Sequence, residues 1–89
     1  MKAIVTVIGK DQTGIIARIS ACLYNENVNI EDINQTIMQN NFTMIMFVDL
    51  SKAKNGIEVM QEKLDKLGKE IGISIRIQNE TIFQAMHRI

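Results

Sequence analysis

The sequence has few of the residues that build covalent or metal-bound scaffolds. Its 89 residues include one cysteine, Cys22, and one histidine, His87, and they include no proline or tryptophan. A single cysteine cannot form an internal disulfide, and a metal ion would lack a cluster of cysteine and histidine ligands. We therefore expect no disulfide, no metal and no cofactor, in a reducing compartment.

An excess of charge of one sign and long apolar runs are also missing. Ten basic residues balance ten acidic ones, so the chain offers no electrostatic footprint for a phosphate backbone and no direct nucleic-acid binding is expected. No stretch approaches the roughly 20 apolar residues that span a bilayer, and the N-terminus lacks a small-residue cleavage site. These absences predict a soluble cytoplasmic protein with one domain over residues 1–89.

The first half of the chain predicts a strand, a helix and a hairpin. Residues 2–8 are rich in β-branched side chains and end at Gly9, which is typical of a buried strand. Apolar residues three and four apart predict a helix from about residue 12 to residue 25. Residues 28–39 and 42–50 predict two antiparallel strands around a turn at Asn40-Asn41.

The second half predicts a helix, a strand and a tail. Asn55 and Glu58 resemble a capping box at the start of a second helix, which Gly72 is expected to end. Isoleucines at alternate positions of residues 73–77 predict a fourth strand with one buried face. The tail, residues 81–89, carries an apolar helical stripe, so it is expected to pack on its own domain or on a partner subunit.

This order of elements is the split βαβ pattern of α+β, ferredoxin-like folds. Right-handed crossovers place both helices on one face of a four-stranded antiparallel sheet, with the first and third strands in the centre. The other face and the edge strands stay open, which favours a homodimer as protection against unspecific association. The polar second strand suits a monomer or a specific interface, and the sequence does not decide between them.

The segment from Gly9 to Gly14 is the candidate functional site, because it joins a strand to a helix with two glycines and an acid. Glycines let the backbone approach a ligand, and a helix N-terminus offers unpaired N–H groups to a carboxylate. Asp11 would attract an ammonium group, so the loop matches an α-amino acid. The alternative is that Asp11 caps the helix by accepting from the N–H of Thr13 or Gly14.

The loop Asp11-Gln12-Thr13-Gly14-Ile15, with the apolar helix after it and the later Val28-Asn29-Ile30, resembles the ACT domain family. The resemblance covers essentially the whole chain in element order, and Gly-Lys-Asp-Gln-Thr-Gly-Ile-Ile-Ala is similar to ACT domains of the glycine-cleavage repressor type. It implies that Asp11 and Asn29 contact an amino acid at a subunit interface.

A set of ligand-binding residues follows from the loop and the resemblance together. Its members are Gly9, Asp11, Thr13, Gly14, Ile15, Asn29 and Ile30. Thr13 stands where the family usually has proline, which leaves the loop less rigid. Asn29 also has a structural alternative, since asparagine is common in helix-to-strand turns, where it bonds to the local backbone.

The expected function is a regulatory domain, not an enzyme, that senses an amino acid as a homodimer and signals to a protein partner. A ligand-free dimerisation module is the main alternative. An acylphosphatase-like hydrolase is a second one, although Arg18 lies a helical turn beyond the loop and Asp11 would repel phosphate. Few aromatic residues and no basic stripe disfavour an RNA-binding module. Cys22 is assigned to the core, and His87 to a surface or packing role.

Overall fold

The computed structural model describes residues 1–81, which form six regular elements. These are β1 (Lys2–Lys10), α1 (Ile15–Asn25), β2 (Asn29–Met38), β3 (Asn41–Asp49), α2 (Ile57–Ile71) and β4 (Ile73–Asn79). The four strands form one antiparallel sheet in the order β2-β3-β1-β4. The predicted ferredoxin-like fold, with β1 and β3 central, is confirmed. The predicted tail helix and His87 lie outside the described residues, apart from Thr81.

The hydrophobic core lies between the sheet and the two helices. Every second residue of a strand faces the helices, and each helix contributes one apolar stripe. The core includes Val5, Val7, Ile15, Ile19, Leu23, Phe42, Met44, Met46, Val48, Met60, Leu64, Ile75 and Ile77. Burying one such aliphatic side chain stabilises the fold by about 1.5–3 kcal/mol. Met44 and Met46 are fully buried in this core, and Cys22, which the sequence assigned to the core, packs against the same cluster.

Both helices begin later than the sequence predicted. Helix α1 begins at Ile15 instead of residue 12, because Gly14 has φ +88°, a conformation that a helix does not accommodate. Helix α2 begins at Ile57 after Gly56, and no side chain in the described part of the chain caps it. The predicted capping by Asn55 is therefore wrong, because the Asn55 side chain donates to Glu26 Oε1 at 2.7 Å instead.

The β2–β3 turn lies one residue earlier than predicted. Met38 pairs with Asn41, so the turn residues are Gln39 and Asn40, with φ +51° and +68°. Two positive φ values match the twist of a two-residue hairpin. Strand β1 also continues past its predicted end, since Lys10 pairs with Asn41. The predicted stop of α2 at Gly72 is confirmed, with φ +73° at that residue.

Strand β2 is the most exposed element of the sheet. Residues 31–38 are all exposed, and they include Ile33, Ile37 and Met38 at 39%, 54% and 66% exposure. A bulge interrupts the β2–β3 pairing between Ile30 and Asp32. Among residues 1–81 no helix is long and apolar enough to cross a membrane.

Candidate functional site

The β1–α1 loop, residues 11–14, is exposed but held at both of its sides. The backbone N–H of Asp11 donates to the Asn40 carbonyl at 2.7 Å, which fastens the loop to the β2–β3 turn. The side-chain Nε2 of Gln12 donates to the Ile71 carbonyl at 2.7 Å, which fastens it to the end of α2. Its shape is therefore set by two elements that are distant in sequence.

The predicted capping role of Asp11 is wrong. The residue that precedes α1 is Gly14, and no side chain within residues 1–81 accepts a hydrogen bond from the first turn of the helix. The first N–H groups of a helix carry a partial positive charge and need an acceptor. The Asp11 carboxylate is exposed nearby and forms no hydrogen bond or ion pair in the described part of the chain. The loop therefore places an exposed carboxylate beside a helix N-terminus that no described side chain caps.

An open cleft of about 310 Å³ lies beside the loop. Its lining residues are Asp11, Gln12, Gly14, Ile15, Ile16, Ala17, Gln35, Ile37 and Phe42. The predicted Asp11, Gly14 and Ile15 belong to it, although the Ile15 side chain is itself buried in the core. Gln35 and Ile37 were not predicted. Their alternation in β2 placed them on one face, and only the register of the sheet shows that this face meets the loop.

Gly9 and Thr13 are not part of the cleft lining. Gly9 lies in β1, opposite Ile73 of β4. A Cβ atom at position 9 would approach Ile73 Cγ2 to 2.5 Å and Ile73 Cβ to 2.8 Å. Close packing between two strands therefore explains this glycine. Thr13 is exposed in the loop.

The structure places Asn29 and Ile30 far from Asp11 in the same chain. Asn29 pairs with Asp49, opposite the start of β1, whereas Asp11 follows the end of β1. Eight residues of strand separate these positions, which is roughly 26 Å at about 3.3 Å per residue. Ile30 is half-buried against the core. One chain alone does not assemble the predicted ligand-binding set.

Asn29 lines a second cleft, of about 380 Å³, at this opposite end of the sheet. Its lining residues are Tyr24, Asn27, Val28, Asn29, Asp49, Ser51 and Lys52. Asn27, at φ +59°, donates from Nδ2 to the Lys52 carbonyl at 2.8 Å, and so fills the turn role that the sequence assigned to Asn29. The Asn29 side chain forms no hydrogen bond with any described residue. It remains available for other contacts.

In the second cleft, hydrogen bonds favour the charged form of the Asp49 carboxyl. Asp49 accepts from the hydroxyl and from the backbone N–H of Ser51, and these two bonds are the main reason that the pKa of the Asp49 carboxyl is lowered. Lys2 and the N-terminal ammonium group lie 4.0 and 3.9 Å from Asp49 and lower the pKa further. Asp49 is therefore committed to local contacts.

The other chemically active side chains near the loop are occupied or shielded. Arg18 donates to Glu70 Oε2 at 2.8 Å, which directs its guanidinium group towards α2. Cys22 is half-buried, and desolvation raises the pKa of its thiol. Residues 1–81 contain no group of three or more side chains that could hold a metal ion.

Comparison with known proteins gives consistent matches along the chain. The sequence profile of the ACT domain matches residues 2–78. A UPF0237 protein of Clostridium acetobutylicum is 53% identical over 89 residues, which is 100% of both chains. An ACT domain protein from Streptococcus pneumoniae has a solved structure with a TM-score of 0.82 and 37% identity over 93% of each chain. A structure assigned as a glycine cleavage system transcriptional repressor shares the fold, with a TM-score of 0.76 and 21% identity over 86% of this chain and 44% of that one. The matched residues include both clefts.

Proposed function

The chain belongs to the ACT domain family, and from this premise we propose that it is a regulatory domain that binds an amino acid as a homodimer. The observation that carries the proposal is the exposed Asp11 carboxylate beside a helix that no described side chain caps. An α-amino acid presents an ammonium group and a carboxylate close together. The loop offers Asp11 to the first, and the N–H groups of α1 to the second.

The dimer supplies what one chain lacks. When β2 pairs antiparallel with its own copy about a twofold axis, the start of one strand lies beside the end of the other. Asn29 of one protomer then approaches the Asp11 loop of its partner, although the two residues are far apart within a chain. Two equivalent sites result, and each contains residues from both protomers.

The exposed surface around β2 supports this interface. Ile33, Ile37 and Met38 lie exposed on the strand, and Ile16 and Tyr24 on α1 are 37% and 80% exposed. Covering apolar surface of this kind stabilises an association by about 25 cal/mol per Å². An edge strand also presents unpaired backbone groups that a second copy can satisfy.

The predicted site residues divide into two roles within the proposal. Asp11, Thr13, Gly14 and Asn29 contact the ligand. Gly9, Ile15 and Ile30 place the backbone, because Gly9 packs against Ile73, and Ile15 and Ile30 pack into or against the core. Gln35 and Ile37, which line the loop cleft, contact the side chain of the ligand.

We propose a regulatory rather than a catalytic role. The acylphosphatase-like alternative needs a cation at the loop to bind phosphate, whereas Arg18 is engaged by Glu70. The proposal includes a cytoplasmic setting and a protein partner that responds to the liganded dimer. Turnover of an acyl phosphate that disappears in Arg18→Gln would reverse this assignment.

A thermal-shift screen of the 20 standard amino acids tests the proposal. A ligand at a hundred times its dissociation constant stabilises the folded protein by about 2.7 kcal/mol. Asp11→Asn should weaken the binding of the active amino acid about tenfold or more, because the charge opposite the ammonium group is lost; a tenfold change corresponds to about 1.4 kcal/mol. Glu62→Gln, an exposed change on α2, is the matched control. A dimer that no amino acid stabilises would favour the ligand-free module instead.

A further inference from the structure

The two edges of the sheet differ in how their backbone groups are satisfied. At β4, the side chain of Gln61 on α2 donates from Nε2 to the Ile75 carbonyl at 3.0 Å, and its Oε1 accepts from the Ile77 N–H at 2.8 Å. In a strand, the C=O of one residue and the N–H two residues later point to the same side. Strand β1 pairs along the other side of β4. The Gln61 amide therefore occupies two neighbouring groups that an added strand would use.

Asp65 fixes the orientation of this amide. Gln61 Nε2 also donates to Asp65 Oδ1 at 2.8 Å, one helical turn further along α2. Since a carboxylate only accepts, it holds the NH₂ side of the amide in place and leaves Oε1 for Ile77. Both hydrogens and the oxygen of the amide are used. An incoming strand would have to displace the whole arrangement.

We propose that Gln61 closes the β4 edge and thereby restricts self-association of the chain to β2. The inference rests on the β2-paired homodimer of the proposed function. A sheet with two open edges can pair β2 with β2 and β4 with β4 in turn, which extends it without limit. With one edge closed, pairing stops at two subunits. On β2, Asp32 Oδ1 accepts from the neighbouring Ile33 N–H at 2.9 Å, which satisfies one backbone group from within the strand. No side chain of another described element spans two backbone groups of β2 as Gln61 does on β4, and residues 31–38 are exposed.

The side chains of the two edge strands also favour association through β2 and not through β4. Strand β4 has its apolar side chains, Ile73, Ile75 and Ile77, buried in the core, and Arg76 exposed between them. A copy that paired with β4 in a register centred on Arg76 would bring two Arg76 side chains towards each other. Strand β2 instead offers exposed apolar side chains to a partner.

The test uses Gln61→Leu, which keeps the approximate size of the side chain and removes its hydrogen bonds. Sedimentation velocity should show a dimer for the unmodified chain, and species larger than a dimer, increasing with concentration, for Gln61→Leu. Glu62→Leu is the matched control: it adds the same apolar side chain at the next position of α2, where Glu62 is exposed, and should leave a dimer.

A variant with a disrupted β2 edge tests the role of Gln61 separately from the β2 dimer. Ile33→Lys with Ile37→Lys places charges on the β2 edge and should give a monomer. Adding Gln61→Leu should then produce a new dimer through β4. A protein that stays monomeric after this addition overturns the role of Gln61 and leaves the β2 dimer intact. A protein that is already dimeric with both lysines and Gln61 present overturns the β2 interface, and the restriction to β2 with it.

A third variant covers loss of folding in Gln61→Leu. Asp65→Ala leaves Gln61 in place but removes the contact that orients its amide. It should give the same larger species in a smaller fraction, with an unchanged circular dichroism spectrum. A folded, strictly dimeric Gln61→Leu would overturn the proposal. If Gln61→Leu does not fold, a folded, strictly dimeric Asp65→Ala would overturn it instead.

Discussion

Three glycines of this chain occupy physically different environments, which only the folded structure separates. Gly9 has no room for a Cβ atom because Ile73 lies against it, Gly14 has open space but φ +88°, and Gly56 has open space and φ −76°. In the sequence, Gly9 and Gly14 resemble two halves of one ligand loop. The partner that explains Gly9 lies far along the chain, so the local sequence does not reveal it.

Gly9→Ala should destabilise the protein, because the added methyl group overlaps the side chain of Ile73. Inserting a methylene-sized group into a packed site costs about 1–3 kcal/mol. Gly56→Ala, at an ordinary φ in open space, should change the free energy of unfolding by less than about 1 kcal/mol. Urea denaturation of both variants measures the difference. Equal stability of the two variants would contradict the packing explanation.

Glu26 should make the stability of the protein depend on pH. Its side chain is buried, with Asn55 Nδ2 at 2.7 Å and Lys63 Nζ at 3.3 Å. The hydrogen bond from Asn55, followed by the contacts with Lys63, lowers the pKa of the Glu26 carboxyl. A pKa that is lower in the folded state stabilises the protein above the unfolded value of about 4.3, and this contribution is lost as pH falls through the folded pKa.

The free energy of unfolding should therefore fall less steeply from about pH 5 to about pH 3 in Glu26→Gln than in the unmodified chain. Glu62→Gln on the exposed side of α2 serves as the control and should keep the original slope. Urea titrations at a series of pH values provide the measurement. The same slope in all three proteins would show that Glu26 gains nothing from its partners.

At the scale of elements, the sequence predicts the helices and strands themselves better than the residues at which they begin and end. All six elements were found because alternation and three-to-four spacing are properties of short segments. The ends of the elements were predicted less accurately, because the position of each end depends on a distant partner or on one dihedral angle. Helix α1 begins later than predicted because Gly14 has a positive φ. Asn55 does not cap α2 because its side chain donates a hydrogen bond to Glu26 instead.

The β2–β3 turn offers a test of local conformational cost. Gln39 and Asn40 both have positive φ, where a side chain other than glycine costs about 1 kcal/mol or more, and asparagine is among the better tolerated residues. Gln39→Asn combined with Asn40→Gly creates the preferred Asn-Gly turn and should stabilise the protein by about 0.5–1 kcal/mol. Thermal or urea unfolding measures this gain. Loss of stability would mean that the original side chains contribute contacts that outweigh the strain.

At the scale of the whole molecule, the candidate site could be predicted only in part. The loop from Asp11 to Gly14 was predicted because its residues are adjacent in sequence. The contribution of Gln35 and Ile37 depends on sheet register, and the separation of Asp11 from Asn29 depends on which end of the sheet each one occupies. Neither relation is present in a local pattern.

Mixing two variants that bind weakly should restore strong amino-acid binding if each site is shared between protomers. Asp11→Asn and Asn29→Ala each damage both sites of their own homodimer. In a mixed dimer, one site receives the intact Asp11 from one chain and the intact Asn29 from the other, so one site in two recovers. Calorimetric titration after co-refolding should show one strong site per mixed dimer, which is half a site per chain. Binding in the mixture that is no stronger than in either variant alone would contradict a site shared between protomers.

The distance between Asp11 and Asn29 in one chain has a consequence for regulation in a cell. In the proposed dimer the ligand meets a complete site only after two chains have met, and dimers accumulate with the square of chain concentration while monomers predominate. The response to a fixed ligand level then depends on the rate at which the protein is synthesised. A modest change in gene expression would act as a second input to the sensor.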